Sequence, residues 1–332
     1  MGAAAPGLSA ADSALRAGVL ERNVRSLAKA ITLVESTRPD HQVRARALLD
    51  ALVRHAGQAL RIGVSGVPGV GKSTFIEAFG LHLLENGHRV AVLAIDPSSN
   101  LGGGSILADK TRLQRLSIHP DAFVRPSAAG ESSGGVAART REALLVCEAA
   151  GFDVVIVETV GAGQSETAVA AMTDVFVLLQ LPNAGDELQA MKKGVIELAD
   201  VVLVNKADLD RAAAEAAAGQ IAGALAMLRP RSPHWSPEVF AISSTTGAGI
   251  ADLWGTIARR RDVMRAHGEL EDKRRRQALA WMWQMVDEGL RARFRAHPSV
   301  QEQIEATVDA VAAGRTSAYA AAARLIALSE LS

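Results

Sequence analysis

The stretch at residues 61–74 constrains the fold of this chain more than any other. It reads RIGVSGVPGVGKST, in which a short apolar run leads into the pattern G-x-x-x-x-G-K-S. Between a strand and a helix, this pattern forms a P-loop, whose backbone N–H groups and helix N-terminus surround phosphate groups. We therefore predict a strand over residues 62–65, a phosphate-binding loop, and a helix that begins at Lys72 and continues toward Glu85.

The side chains of this loop have the chemistry that a nucleoside triphosphate requires. Lys72 is expected to neutralise the β- and γ-phosphates, Ser73 to place a hydroxyl on Mg²⁺, and Thr74 to lie near phosphate oxygens. A glycine-rich turn without a ligand is the alternative, but the Lys-Ser pair and both flanking elements favour the P-loop. The residues predicted to bind the nucleotide here are Gly66, Val67, Pro68, Gly69, Val70, Gly71, Lys72, Ser73 and Thr74.

Short apolar runs alternate with helical patterns between residue 61 and about residue 260. The runs cover residues 89–95, 122–124, 154–157, 175–181, 201–204 and 239–242. Continuous Val, Ile and Leu are typical of strands that are buried on both faces, so the alternation predicts an α/β fold with a doubly wound, mostly parallel sheet. Ligands of such sheets bind at the carboxyl ends of the strands.

Three acidic residues follow these strands and are candidates for a metal site. Asp96 ends one run, Asp109 lies in the glycine-rich loop after it, and Glu158 ends the run at residues 154–157. Carboxylates in these places suit a segment that orders around Mg²⁺ and a γ-phosphate, although Asp96 and Asp109 could instead be turn or helix-capping residues. The predicted metal site consists of Ser73, Asp96, Asp109 and Glu158.

The sequence ETVG at residues 158–161 is predicted to sense the terminal phosphate. Gly161 would let a backbone N–H approach it, so that Lys72, Asp109, Glu158 and Gly161 are the candidate catalytic residues. Ala162 follows, where Ras-like switches place a glutamine that orients water. We therefore expect slow intrinsic hydrolysis that a partner, or the ordering of a loop, accelerates.

The pattern N-K-x-D follows the strand at residues 201–204 and selects the base. The carboxylate of Asp208 can accept hydrogen bonds from N1–H and N2–H₂ of guanine, which adenine cannot offer, while Lys206 packs along the ring and Asn205 completes the motif. A last loop contacts the base through backbone N–H groups. That loop holds Ser243, Ser244 and Thr245. The predicted ligands are GTP or GDP with Mg²⁺.

Outside the nucleotide motifs, the chain is predicted to be helical. Residues 1–60 form an N-terminal helical extension after a flexible start, residues 61–262 the P-loop GTPase domain, and residues 263–332 a C-terminal helical region. The helix predicted at residues 279–294 has apolar residues on two sides, and something else must cover one of them, so we favour homodimerisation over further packing within the chain. Trp281 and Met285 project from one side, and the predicted apolar face on the other consists of Leu279, Met282, Trp283, Val286, Leu290 and Phe294.

Composition excludes several classes of partner. Thirty-six basic residues balance 36 acidic ones, so no overall field favours nucleic acid or an anionic membrane. The single cysteine, Cys147, lies in an apolar helical pattern and suits a reducing compartment. Neither a signal peptide nor an apolar segment of the roughly 20 residues needed to span a bilayer is evident, so we expect a cytoplasmic protein.

The motifs together resemble the methylmalonyl-CoA mutase-associated GTPases, also called the MeaB or ArgK family. The resemblance rests on GVPGVGKST at residues 66–74, DPSS at 96–99, DKTR at 109–112, ETVGAGQSE at 158–166 and NKAD at 205–208. It also includes LPNAGDELQAMKKG at residues 181–194, which composition alone leaves undecided between a mobile element and a solvated loop. Ala108 and Ala162 depart from the family pattern without removing a polar group.

This resemblance implies a cytoplasmic homodimer that binds an adenosylcobalamin-dependent methylmalonyl-CoA mutase and gates, protects or restores its cofactor loading. It implies that Asp96, Asp109 and Glu158 serve Mg²⁺. It also implies a third switch, which relays the nucleotide state to the mutase through Asp186, Gln189 and Lys192. Since the chain has no D-x-H-x-x-G cobalamin signature, the cobalamin should belong to the partner.

Three other functions share parts of this pattern. A metallochaperone GTPase for a nickel enzyme has the same nucleotide architecture, but it should carry Cys or His clusters, whereas this chain has one Cys and eight scattered His. A transport-linked protein kinase would pass the phosphate to a protein. A non-hydrolysing scaffold would release no phosphate at all.

Overall fold

The computed structural model describes residues 8–96, 113–128, 133–159, 165–182 and 193–329. The chain forms two compact units, Met1–Arg274 and Arg275–Ser332. The first unit contains both the N-terminal helices and the P-loop domain. The three-part division at residues 60 and 262 stays a prediction.

The first unit is built on a seven-stranded sheet in the order β3-β2-β4-β1-β5-β6-β7, and each neighbouring pair is parallel. This confirms the predicted α/β fold. The P-loop strand β1 lies at the centre, between β4 and β5, because its apolar residues are buried from both faces. The strands are β1 (Leu60–Gly66), β2 (Val90–Asp96), β3 (Ala122–Ala128), β4 (Val154–Thr159), β5 (Val175–Gln180), β6 (Val201–Val204) and β7 (Glu238–Ala241).

Helices flank the sheet and continue into the second unit. A 3₁₀ turn, Val53–His55, follows the third helix. The α-helices are α1 (Ala10–Leu20), α2 (Val24–Glu35), α3 (Pro39–Leu52), α4 (Lys72–Glu85), α5 (Gln114–Ile118), α6 (Ser133–Ala149), α7 (Ser165–Ala170), α8 (Lys193–Ile196), α9 (Arg211–Ala226), α10 (Ile250–Ala266), α11 (Glu269–Ala296), α12 (Pro298–Ala312) and α13 (Ala318–Ser329). Helix α4 has the predicted bounds.

Two apolar cores cover the two faces of the sheet, because successive residues of each strand point to opposite sides. On one face, α4 and α10 pack on β1 and β4, and the Phe75 and Phe79 rings stack with centroids 5.5 Å apart. On the other face, α6 packs on the sheet, and the N-terminal helices pack on α6. Cys147 is fully buried there, and burial raises the pKa of its thiol, with Glu148 adding to the effect.

Helix α1 is the first helix of the N-terminal extension. Helix α1 begins after Ser9, whose side chain accepts a hydrogen bond from the Asp12 N–H, and α1 is rich in alanine. It packs on the core through the buried Val19 and the partly buried Leu15 and Leu20. Arg44 of α3 donates to the buried Asp12 carboxylate at 2.8 Å and thereby ties the first and third helices together.

Buried ion pairs hold the amino edge of the sheet. Asp174, which precedes β5, has no exposed side-chain surface and pairs with Arg274 at 2.6 Å. Arg61 at the start of β1 pairs with Glu148 of α6 at 2.7 Å. These pairs join segments that lie far apart in the sequence and so fix the first turns of α11 to the sheet.

The second unit consists of the rest of α11 with α12 and α13. The predicted apolar face of α11 is largely exposed, since Leu279, Trp283 and Leu290 keep 52%, 61% and 58% of their surface. Met282 and Val286 are exposed as well. Among the described residues, no helix combines the length and the apolar composition that crossing a membrane would require.

Candidate functional site

The phosphate-binding loop follows β1 at the carboxyl edge of the sheet. Its glycines are required by geometry at two positions. Gly71 has φ of 96°, and a Cβ there would lie 2.8 Å from Asn205 Nδ2. A Cβ on Gly66 would lie 2.6 Å from the Leu179 carbonyl oxygen. Only residues without a side chain allow the loop to approach β5 and the residue that follows β6 this closely.

Lys72 opens α4 and places its ammonium group inside the loop. Its Nζ donates to the carbonyl oxygens of Gly66 at 2.7 Å and of Val67 at 3.3 Å, and the residue is 8% exposed. The charge therefore lies at the N-terminus of the helix, where backbone N–H groups already favour an anion. This arrangement can bind phosphate groups by charge and by hydrogen bonds together.

Ser73 and Glu158 meet beside Lys72 and fit a magnesium site. The Ser73 hydroxyl donates to Glu158 Oε1 at 3.4 Å. The next residue, Thr159, donates to Ser65 Oγ at 2.8 Å, a buried contact that joins the end of β4 to β1. A hydroxyl and a carboxylate are hard oxygen ligands of the kind Mg²⁺ takes, so this donor pair fits the predicted metal.

Several predicted residues cannot be placed from these contacts. Asp109, Gly161, Asp186, Gln189 and Lys192 lie outside the described residues, and for Asp96 only its position at the end of β2 is described. Their roles at the metal, the γ-phosphate and the partner stay predictions.

The base-recognition motif is tied directly to the phosphate loop. Asn205 is 1% exposed; its Nδ2 donates to the Val70 carbonyl at 2.8 Å, and its Oδ1 accepts from the Ser244 N–H and hydroxyl at 3.1 and 2.8 Å. Lys206 adopts a φ of 65° and donates from Nζ to the Gly69 carbonyl at 2.9 Å. The sequence does not reveal that Asn205 braces three loops, since no local pattern shows its partners.

Asp208 is exposed at the mouth of the site, and a hydrogen bond to one of its carboxylate oxygens fixes its orientation. The Ser243 hydroxyl donates to Asp208 Oδ1 at 2.6 Å and accepts from the Thr246 N–H at 3.1 Å. Thr245 is exposed on the same loop. A fixed carboxylate edge that faces solvent is able to accept two parallel N–H donors, as guanine offers.

Comparison with known proteins matches this chain to a family of GTPases. The family model described as methylmalonyl Co-A mutase-associated GTPase MeaB matches residues 27–299. A putative GTPase of Caulobacter vibrioides is 55% identical over 302 residues, which cover 91% of this chain and 93% of that protein. The mitochondrial methylmalonic aciduria type A homolog of Mus musculus is 46% identical over 301 residues, covering 87% of this chain and 72% of the relative.

A solved structure has the same fold over nearly the whole chain. It is titled as a LAO/AO transport system kinase, with a TM-score of 0.76 and 35% identity, and the match covers 96% of this chain and 98% of that one.

Proposed function

The chain belongs to the methylmalonyl Co-A mutase-associated GTPase family, and from that premise we propose that it binds GTP with Mg²⁺ and hydrolyses it to GDP and phosphate, as a chaperone of an adenosylcobalamin-dependent methylmalonyl-CoA mutase. The proposal that the chain binds a nucleotide rests on the hydrogen bonds that join the base-recognition motif to the phosphate-binding loop. Asn205 and Lys206 hold the carbonyls of Val70 and Gly69, so the base and the phosphates are bound at a fixed separation. Such pre-organisation favours a ligand that has both parts.

Different residues of the site would bind the phosphates, the base and the metal. Lys72 would exchange its two carbonyl contacts for phosphate oxygens, and its charge would stabilise the negative charge that develops as the γ-phosphate leaves. Asp208 would select guanine. Ser73 and Glu158 would hold Mg²⁺, which when bound neutralises the charge on the phosphate oxygens.

Support for a mutase partner comes from the names that the family and its relatives carry. The family is described as associated with methylmalonyl-CoA mutase, and the murine relative is named for methylmalonic aciduria. We also propose a homodimer. The apolar face of α11 is exposed to solvent, and a second copy of the chain carries the same face, against which it can pack. A cytoplasmic location is part of the proposal as well, since the one cysteine is buried Cys147.

The test combines binding and turnover. The full chain is mixed with candidate adenosylcobalamin-dependent mutases, with GDP or with a non-hydrolysable GTP analogue, and co-elution, mass in solution and phosphate release are measured. We expect a dimer that associates with a methylmalonyl-CoA mutase and releases phosphate faster in its presence. Lys72→Ala should remove turnover, whereas Lys29→Ala, a surface change on α2, should leave it intact. Absence of both association and stimulation would refute the chaperone role and leave GTP hydrolysis untouched.

A kinase is the second candidate, and the structural neighbour titled as a transport system kinase favours it. GTP or ATP labelled at the γ-phosphate distinguishes the two. Label that appears on a protein, instead of in solution as inorganic phosphate, would support the kinase.

A further inference from the structure

A cavity of about 190 Å³ lies at the amino edge of the sheet, opposite the P-loop. Its floor is formed where β1, β2 and β4 begin, and α10 and the first turns of α11 form its walls. All of these residues belong to the first compact unit. The nucleotide site described above does not use this cavity.

Positive charge dominates the cavity lining. Three arginines, Arg261, Arg265 and Arg274, line it against one carboxylate, Asp153. Arg261 and Arg265 lie one turn apart on α10, with Trp254 two turns earlier on the same side of the helix, so one helix face supplies two guanidinium groups and an aromatic wall. His88 contacts the edge of the Trp254 ring, with centroids 4.9 Å apart.

Most of these charges already have partners. Arg274 is bound to Asp174 and to the carbonyl oxygen of Ala59, and Arg261 donates to the neighbouring Asp262 at 2.9 Å. Asp153 accepts from the Arg89 N–H at 2.7 Å and contacts His88 Nδ1 at 3.1 Å, so both of its oxygens have a polar neighbour.

Two donors at the cavity are still available. Within the part of the chain that the structure describes, neither the Arg265 guanidinium nor the Gln58 amide makes a hydrogen bond or ion pair. They come from different walls, Gln58 from the segment before β1 and Arg265 from the end of α10. Both residues are exposed, so they bring N–H donors to the solvent-facing rim of the cavity.

We propose that this cavity binds a phosphate group, held by Arg265 and Arg261 with Gln58 as a neutral donor. A guanidinium presents paired N–H donors that match phosphate oxygens. Arg261 would exchange its contact with Asp262, a carboxylate that is 64% exposed, for the phosphate. The volume is below the roughly 300 Å³ at which pockets for drug-sized ligands begin, so the cavity takes a small ligand. Trp254 gives an organic group on that phosphate an apolar surface.

The test uses the full chain with its P-loop saturated by a non-hydrolysable GTP analogue and Mg²⁺, so that the nucleotide site, including its γ-phosphate position, cannot take up the probe. Inorganic phosphate and glycerol phosphate are titrated separately at constant ionic strength, with calorimetry and ³¹P line broadening as readouts. We expect one further phosphate site. Tighter binding of the ester would show that the cavity takes the phosphate of an organic molecule, and equal or weaker binding would show that it takes the free ion.

Variants assign that site to the cavity. Arg265→Gln should weaken phosphate binding about tenfold, and the double change Arg261→Gln with Arg265→Gln should abolish it. Arg259→Gln is the matched control on the same helix, because Arg259 pairs with Glu238 at 2.6 Å and does not line the cavity. Its phosphate affinity should equal that of the wild type.

Two results would overturn the proposal: heats reproduced by sodium chloride alone, or a double variant that binds phosphate like the wild type. Circular dichroism and GDP affinity, measured on the same samples, show whether each variant is folded. If GDP fails to bind, the proposed function fails, yet the cavity can still be tested with Lys72→Ala, whose P-loop lacks the ammonium group.

Discussion

Replacing Asp174 should destabilise the protein more than any change to a surface ion pair. Its carboxylate has no exposed surface and accepts from Arg274 Nε at 2.9 Å, from Arg274 Nη2 at 2.6 Å and from the Arg61 N–H at 2.9 Å. Asp174→Ala leaves a guanidinium that is only 19% exposed without its counter-charge, and a strand N–H without an acceptor. Breaking a buried pair in this way costs about 3–5 kcal/mol.

Urea unfolding followed by circular dichroism measures this loss against a matched control. Glu215→Ala removes the partner of Arg211 in a pair whose side chains are 57% and 85% exposed, and it should cost at most about 0.5 kcal/mol. Adding Arg274→Met to Asp174→Ala removes the uncompensated charge, so the double variant should lose less stability than the two single variants added together. A loss below about 1 kcal/mol for Asp174→Ala, or full additivity in the double variant, would refute the reasoning.

Three further predictions follow from buried groups. Asn205→Ala should weaken GDP binding at least tenfold in a titration, because Ser244 and the phosphate loop lose their common partner; unchanged affinity would contradict the bracing role. Hydrogen bonding from Arg44 lowers the pKa of Asp12. The pair should therefore stabilise the fold above about pH 4, and this stabilisation should be lost as the pH falls through the lowered pKa. In unfolding measured from pH 2 to 6, Arg44→Gln should make stability depend less on pH. Burial raises the pKa of Cys147, so a thiol reagent at pH 8 should modify it only after unfolding, and rapid labelling of the native protein would count against that.

The sequence predicts the parts of the fold that depend on neighbouring residues in the chain. Continuous apolar runs predict the strands because burial on both faces leaves no polar alternation, and G-x-x-x-x-G-K-S predicts the helix at Lys72 because glycine and helix-start signals lie side by side.

The parts that could not be predicted depend on contacts across long separations. Arg61 meets Glu148 at a distance of 87 residues, and Arg274 meets Asp174 at 100. Within the site, the motif spacing identifies Asn205 and Lys206, but their bonds to the phosphate loop, 135 and 137 residues away, follow only from the order of the strands. Charge pairs of this kind carry no sequence signature, because any arginine and any acid could form them.

The most direct test of the account is the nucleotide preference of Asp208→Asn. The Ser243 hydroxyl can still donate to the amide oxygen, so the loop should keep its shape. The amide cannot accept both N1–H and N2–H₂ of guanine, whereas its own N–H₂ can donate to the oxygen that xanthine carries at position 2. We predict that, in parallel titrations, this variant loses GTP affinity by about 100-fold or more and gains affinity for XTP. Unchanged GTP binding by the variant, with no gain for XTP, would contradict the guanine site on which the account rests.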